Sequence, residues 1–274
     1  MNLFDASILG VVQGLTEFLP ISSSGHLIIA ESLMKLPVED LKGFDIAIHV
    51  GTLLAILIYF RKDFLALIKT LWLIVAGKSG ETDRKNVDLI MYLVVAMVPA
   101  VVVGLLFNDY LDENFRNAKS VAAMLIVVAV YFVIAEYFGG RRNAARAGKP
   151  RELGWPQVIM IGLAQAVALI PGVSRSGATI STGLITGLKR EEAARFSFLL
   201  GAVAIAAAST LSVYKFTKGE FALPDTGILF TGIVSSFVSG YAAIAFLMSF
   251  LKKHSLYVFA AYRILLGAVM LFLL

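Results

Sequence analysis

The chain has 274 residues, of which 58% are hydrophobic and 16% charged, with a formal net charge of +5 and no cysteine. A mean hydropathy of +0.83 excludes an ordinary soluble domain, in which roughly 25% of residues are charged, so the surplus apolar sequence must face lipid. The absence of cysteine excludes disulfides and thiolate metal sites, and basic residues confined to loops report membrane orientation rather than nucleic-acid binding.

In chain order, Met1-Asn2-Leu3-Phe4-Asp5 lacks the basic start of a cleavable signal peptide. Residues 6–36 are apolar but broken at Leu19-Pro20-Ile21-Ser22-Ser23-Ser24-Gly25-His26. Full spans are predicted at about 44–60, 88–107 and 119–138, with an interfacial helix at 64–76, which is too short to cross and carries Lys69. Residues 156–188 are broken in turn at Pro171-Gly172-Val173-Ser174-Arg175-Ser176-Gly177, and three more spans follow at about 195–213, 226–250 and 255–274. Loops 61–87, 139–155 and 251–254 hold most of the lysine and arginine, which makes them cytoplasmic and leaves both termini outside. Each broken segment must then leave on the side it entered, as a re-entrant hairpin of two half-helices. Such backbone is tolerated at membrane depth only inside protein or along a cavity.

The two breaks match at a constant offset of 152. Gly10 pairs with Gly162, Gln13 with Gln165, Ser22 with Ser174, Ser24 with Ser176 and Gly25 with Gly177. The register continues through Ile28 and Ile180, Leu36 and Leu188, and Phe44 and Phe196. The expected architecture is an all-α integral membrane protein. It forms a single membrane domain over 1–274, in two copies of one hairpin plus three spans (about 1–138 and 156–274) joined by a cytoplasmic link at 139–155. Three spans per copy invert the second copy and place a site at the midplane between repeats.

Each second half-helix begins just after its Ser/Gly turn, so its free N–H groups and positive dipole end point inward as an anion site. Ser22, Ser24, Ser174, Ser176, Gly177 and Thr179 are the candidate phosphate ligands. Arg175 adds a planar, permanently charged fork suited to phosphate oxygens. Glu17 lies four residues after Gln13 on one helix face and is expected to pair with Arg175 or a divalent cation. Ser23 and His26 are candidate nucleophile and base. Asp45 and His49 share a helix face and read as interfacial polar residues outside the site; Arg263 has no assigned place. No phosphate loop, Rossmann fingerprint, zinc motif or Gly-x-Ser-x-Gly elbow is present. The implied ligand is an anionic headgroup on a hydrophobic tail.

Gly14-Leu15-Thr16-Glu17-Phe18-Leu19-Pro20-Ile21-Ser22-Ser23-Ser24-Gly25-His26 and Pro171-Gly172-Val173-Ser174-Arg175-Ser176-Gly177 resemble the two signature motifs of the undecaprenyl-pyrophosphate phosphatase family, also called the bacitracin-resistance proteins. Gln13…Glu17 is the Gln variant of the family's Glu/Gln-x-x-x-Glu start. The resemblance covers essentially the whole chain. It implies a multi-pass protein of the bacterial plasma membrane whose site opens to the periplasmic or outer side. It also implies hydrolysis of undecaprenyl diphosphate to undecaprenyl phosphate and inorganic phosphate, which recycles the carrier lipid for peptidoglycan. Dependence on Mg²⁺ or Ca²⁺ and bacitracin tolerance follow, because bacitracin competes for the lipid. Within that expectation Ser23 attacks with His26 or Glu17 as base, or His26 attacks itself. Arg175 holds the phosphoryl charge, and Glu17 binds the metal with Gln13 in its outer coordination sphere. The alternative function is transport, because inverted repeats with broken helices are also a carrier architecture.

Overall fold

The computed structural model describes residues 1–36, 41–115, 117–145, 151–219 and 224–273. All regular structure among them is helical. The order is α1 (Leu3–Phe18), α2 (Ser23–Leu33), α3 (Lys42–Tyr59), α4 (Arg61–Val75), α5 (Arg84–Phe115), α6 (Ala118–Ala145), α7 (Trp155–Val167), α8 (Arg175–Ile185), α9 (Arg190–Thr217), α10 (Thr226–Phe250) and α11 (Tyr257–Leu273).

The prolines set the breaks. A residue before proline is driven out of the helical region, and Leu19 adopts extended angles (φ −63°, ψ 139°) where α1 stops. In the second hairpin α7 ends at Val167, just short of Pro171, and α8 resumes after Ser174. The predicted hairpins at 6–36 and 156–188 are therefore present as α1–α2 and α7–α8.

The repeat extends to the backbone. Ser22 and Ser174, 152 residues apart, both sit at positive φ (77° and 71°), as do the later mates Lys35 and Gly187 (55° and 98°). Both second half-helices close with the same turn: Leu36 N–H donates to Glu31 O and Leu188 N–H to Gly183 O, each at 3.0 Å. The repeats interlock, α1 lying along α10 and α7 along α5. The mates Gly10 and Gly162 permit both contacts. A Cβ on Gly10 would lie 2.5 Å from Gly232 O, and one on Gly162 2.8 Å from Ala96 O.

Four described helices are long and apolar enough to cross a membrane on their own: Arg84–Phe107 within α5, Ala118–Arg141 within α6, α9 and α10. Of the other two predicted spans, α3 keeps the expected length and α11 is shorter than expected. α3 passes the same test only together with α4, from which it is bent by 83°. α11 has 17 residues, about 26 Å at 1.5 Å per residue, and Leu274 lies outside the described residues. The bend turns α4 across α3, as the interfacial reading at 64–76 expects, although the helix starts earlier, at Arg61. It buries Leu67, Thr70 and Leu73 and exposes Leu65, Ile68, Trp72 and Val75.

Two predicted loops begin as helix instead. α5 continues to Phe115 and α6 to Ala145, because a helix entering the headgroup region keeps its backbone hydrogen bonds satisfied when it continues. Parts of the expected loops, including Arg116, Arg146, Lys149 and Glu220, lie outside the described residues.

Candidate functional site between the two breaks

The ends of the half-helices meet beside a cavity of about 1250 Å³. Phe18, fully buried at the end of α1, packs edge-on against Phe198 of α9 at 5.6 Å, which holds the adjacent Glu17 in place. The Glu17 carboxylate is the hub. Its Oε1 accepts from Arg175 Nη2 at 2.7 Å across the repeat boundary. Its Oε2 accepts from the Ser23 hydroxyl at 2.8 Å and from Gln13 Nε2 at 3.1 Å. The side chains of Glu17 and Arg175 are only 8% and 15% exposed, so neither charge could be left alone without a large desolvation cost. Arg175 Nη1 is buried with no hydrogen-bond partner. It is packed so closely on α9 that a Cβ at Gly201 would lie 1.5 Å from it. A buried guanidinium N–H without an acceptor costs about 1–3 kcal/mol, which an incoming anion would relieve.

The predicted residues divide by helix face. Ser22, Ser23, Ser24, Ser174, Arg175 and Glu17 all line the cavity. Ser22 and Ser24 hydroxyls lie 3.3 Å apart, as do those of their mates Ser174 and Ser176. Three expected phosphate ligands stand behind the wall instead. Ser176 donates to Leu19 O at 3.4 Å, Gly177 N–H is capped by Ser174 Oγ, and Thr179 bonds Arg175 O and Ser197 Oγ. The physical reason is rotation: α8 is packed on α6, α7 and α9, and only its first residue, Arg175, reaches the chamber.

His26 is likewise outside the cavity lining. The cavity face of α2 runs through Ser24, Leu27, Ile28 and Glu31; two residues beyond Ser24 a side chain is about 200° round the helix. The ring nitrogens of His26 instead bond Ser22 O at 2.8 Å and Tyr262 OH at 2.7 Å, with the ring stacked on Tyr262. The group that accepts from Ser23 is Glu17.

Sequence reasoning set aside two residues, Asp45 and His49, that the structure brings to the cavity. His49 Nε2 lies 3.8 Å from Glu17 Oε2 and lines the cavity with Asp45. Its Nδ1 lies 2.6 Å from Asp45 O. A carbonyl only accepts, so Nδ1 carries the proton and, in the neutral ring, Nε2 presents a lone pair to the chamber. The i, i+4 polar pair at the start of an apolar span was the available signal. Only the packing of α3 against α1 and α10 turns it inward.

The remaining wall is mostly apolar, with Ala100 and Gly104 on α5 and Ala204, Ala207 and Ala208 on α9 set among larger side chains such as Met97, Leu105 and Leu169, and it also carries Glu31 and Lys215. One chamber thus offers a charged, hydroxyl-rich end and a hydrocarbon flank. Among the described residues no group of three or more His, Cys, Asp or Glu could hold a metal ion. Gln13 Oε1 is buried without a partner beside Glu17. These two residues fit an ion that draws its other ligands from substrate oxygens, the usual habit of Mg²⁺.

Residues 6–269 match the family model of bacitracin resistance protein BacA. A protein from Rubrobacter xylanophilus named undecaprenyl-diphosphatase is 43% identical over 282 residues, covering 100% of this chain and 99% of its own. Relatives of the same name from Chlorobaculum tepidum (43% identical, 97% and 95% covered) and Mycolicibacterium vanbaalenii (42%, 100% and 97%) are similar along nearly their whole lengths. With its two breaks, its Glu17–Arg175 hub and this full-length likeness, the chain belongs to the BacA family of bacitracin resistance proteins.

Proposed function

We propose that this protein is an undecaprenyl-diphosphate phosphatase of the bacterial plasma membrane. The observation that carries the reading is the hub itself: a serine hydroxyl donating to a carboxylate that an arginine from the other repeat holds in place. The hub lies at the polar end of a chamber whose flank suits a prenyl tail.

Ser23 Oγ attacks the terminal phosphorus while its proton passes to Glu17 Oε2. The bond from that phosphorus to the bridging oxygen breaks, and undecaprenyl phosphate leaves. Neutralised Glu17 loosens its hold on Arg175, whose guanidinium then follows the charge onto the phosphoryl oxygens. Undecaprenyl phosphate leaves with the proton that Glu17 had taken, which makes Glu17 a carboxylate again. Water then attacks the phosphoserine phosphorus with Glu17 as base, the bond from phosphorus to Ser23 Oγ breaks, Glu17 returns the proton to Oγ, and inorganic phosphate is released. Glu17, with Gln13 in the outer coordination sphere, would hold a divalent cation, Mg²⁺ or Ca²⁺, which would neutralise charge on the diphosphate. Phosphoryl transfer depends mainly on positioning and electrostatics; the Ser22, Ser24 and Ser174 hydroxyls and the half-helix N-termini supply the donors.

The same reading orients the chain. With the basic loops 61–87 and 139–155 cytoplasmic, the cavity lining falls on Asp45 and His49 of α3, Met97 to Leu106 of α5 and Ala204 to Lys215 of α9. Each stretch runs outward from near the middle of its helix, so the site opens outward and both termini lie outside. Recycling of the carrier lipid for peptidoglycan, and bacitracin tolerance through competition for that lipid, follow from the activity. The paired breaks also favour a second reading, lipid-phosphate transport.

Purified protein is expected to release phosphate from undecaprenyl diphosphate with Mg²⁺ or Ca²⁺ and not with EDTA. Ser23→Ala should abolish a phosphoserine trapped by rapid quench. Folded wild-type protein that binds the lipid and releases no phosphate would overturn the enzyme and leave transport.

A further inference from the structure

Behind the site, on the side away from the cavity, α11 carries a fully buried arginine, Arg263. Among the described residues no carboxylate pairs with it; its partners are main-chain carbonyls. Nε donates to Leu125 O at 3.1 Å and Nη1 to Pro20 O at 3.3 Å. Nη2 donates to Gly172 O at 2.8 Å and to Val173 O and Met124 O at 3.3 Å. The guanidinium also lies 5.3 Å from the Phe132 ring centroid. Pro20 belongs to the first break, Gly172 and Val173 to the second, and Met124 and Leu125 to α6. One side chain therefore ties both breaks to one helix, using the acceptor-rich chain just past the C-terminal ends of α1 and α7, where unpaired carbonyls and the negative end of the dipole favour a cation.

The neighbouring residue completes the grip. Tyr262 OH bonds His26 Nε2, and His26 Nδ1 bonds Ser22 O. Tyr262 thus holds the first turn of α2, where Ser23 sits, while Arg263 holds the turn that leads into Arg175. A trans peptide directs its N–H opposite to its C=O. Anchoring Val173 O on Arg263 therefore aims the Ser174 N–H away from α11.

We infer that Tyr262 and Arg263 form a clasp on α11 that fixes the two re-entrant breaks relative to each other, with His26 as its contact on the first break. All three are positioning residues for phosphoryl transfer, acting through Ser23 and Arg175 without touching substrate. The inference rests on the phosphatase reading for its kinetic consequences but not for its structural ones. Nucleophile and cation come from different repeats, and a misplacement of about 1 Å can cost roughly 100-fold in rate. Ground-state binding of the headgroup by Arg175 needs no such registration.

Arg263→Met, Arg263→Lys, Tyr262→Phe and His26→Gln are tested in the full chain by steady-state kinetics and by hydrogen–deuterium exchange of peptides covering 17–26 and 170–180. Arg263→Met is expected to lower kcat about 100-fold with KM within threefold, and to speed exchange in both peptides. Arg263→Lys recovers part of the rate. Tyr262→Phe removes a single hydroxyl, so it keeps the fold available if Arg263→Met does not assemble. It lowers kcat about tenfold and speeds exchange in 17–26 alone. In His26→Gln the acid limb of the kcat/KM profile stays in place. Unchanged exchange at both breaks, kcat within threefold of wild type in Tyr262→Phe, or loss of the acid limb in His26→Gln would overturn the clasp. An inactive wild type in which Arg263→Met still loosens both breaks would sink the phosphatase and leave the clasp standing.

Discussion

The two breaks share a backbone and differ in chemistry. Ser22 and Ser174 have the same left-handed φ, and both hairpins turn on a proline and a pair of hydroxyls 3.3 Å apart. At the offset of 152, however, Ser23 corresponds to Arg175, Glu17 to Leu169 and His26 to Ala178. The pseudo-symmetry thus places proposed nucleophile and proposed cation at the same structural position, the first residue of a second half-helix, in opposite repeats. Symmetry supplies two converging N-termini, and the reaction needs different groups on each. A fold built by repetition becomes asymmetric at the few positions that touch the reacting phosphorus.

The sharpest way to break this comparison is to remove each mate in turn. Ser23→Ala takes away the nucleophile and is expected to lower kcat roughly 10⁵-fold, on the scale of losing a catalytic serine elsewhere; single-turnover kinetics would measure it. Arg175→Ala should cost about 10³- to 10⁵-fold, as for other arginines that stabilise phosphoryl transfer, in a protein that still folds but with a lowered thermal midpoint in detergent, because Glu17 loses its buried partner. Arg175→Lys should restore little, because an ammonium lacks the planar fork. Near-normal turnover in either alanine variant would remove that residue from the mechanism.

A smaller effect tests how the second break holds its cation. Gly201→Ala drives a methyl into Arg175 Nη1 and is expected to cost about 100-fold, the penalty of a misplaced catalytic group. On an Arg175→Ala background the same change should add nothing, since contacting residues couple strongly; additive losses would mean that Gly201 acts elsewhere. The smallest effect compares the glutamine mates. Gln13→Leu removes the acceptor beside Glu17 and should raise the half-saturating Mg²⁺ concentration about tenfold. Gln165→Leu, whose partner is Met97 Sδ at 3.2 Å, should leave the metal response unchanged. Equal shifts in both would make the difference between the breaks one of shape alone.

Much of this organisation was legible in the sequence. Apolar length announced the membrane, Pro20 and Pro171 announced the breaks, and the offset of 152 announced the repeat. These are local properties, since proline geometry and hydrophobic run length act within a few residues of chain. The pairing of Glu17 with Arg175 was also foreseeable, because two charges at two converging breaks have few other partners. What the sequence could not decide is which face of each half-helix meets the cavity. His26 stands three residues from Ser23 yet turns to Tyr262, 236 residues away, and His49, set aside as interfacial, turns to Glu17. Arg263 had no assigned place because its partners are carbonyls, which carry no residue identity to read. Helical rotation is fixed by the packing of α1 on α10, α3 on α10 and α6 on α11, contacts between residues distant in the chain. Composition and spacing determined the membrane class, the breaks and the anion-seeking chemistry; the tertiary packing decided which side chains face the substrate and which hold the others still.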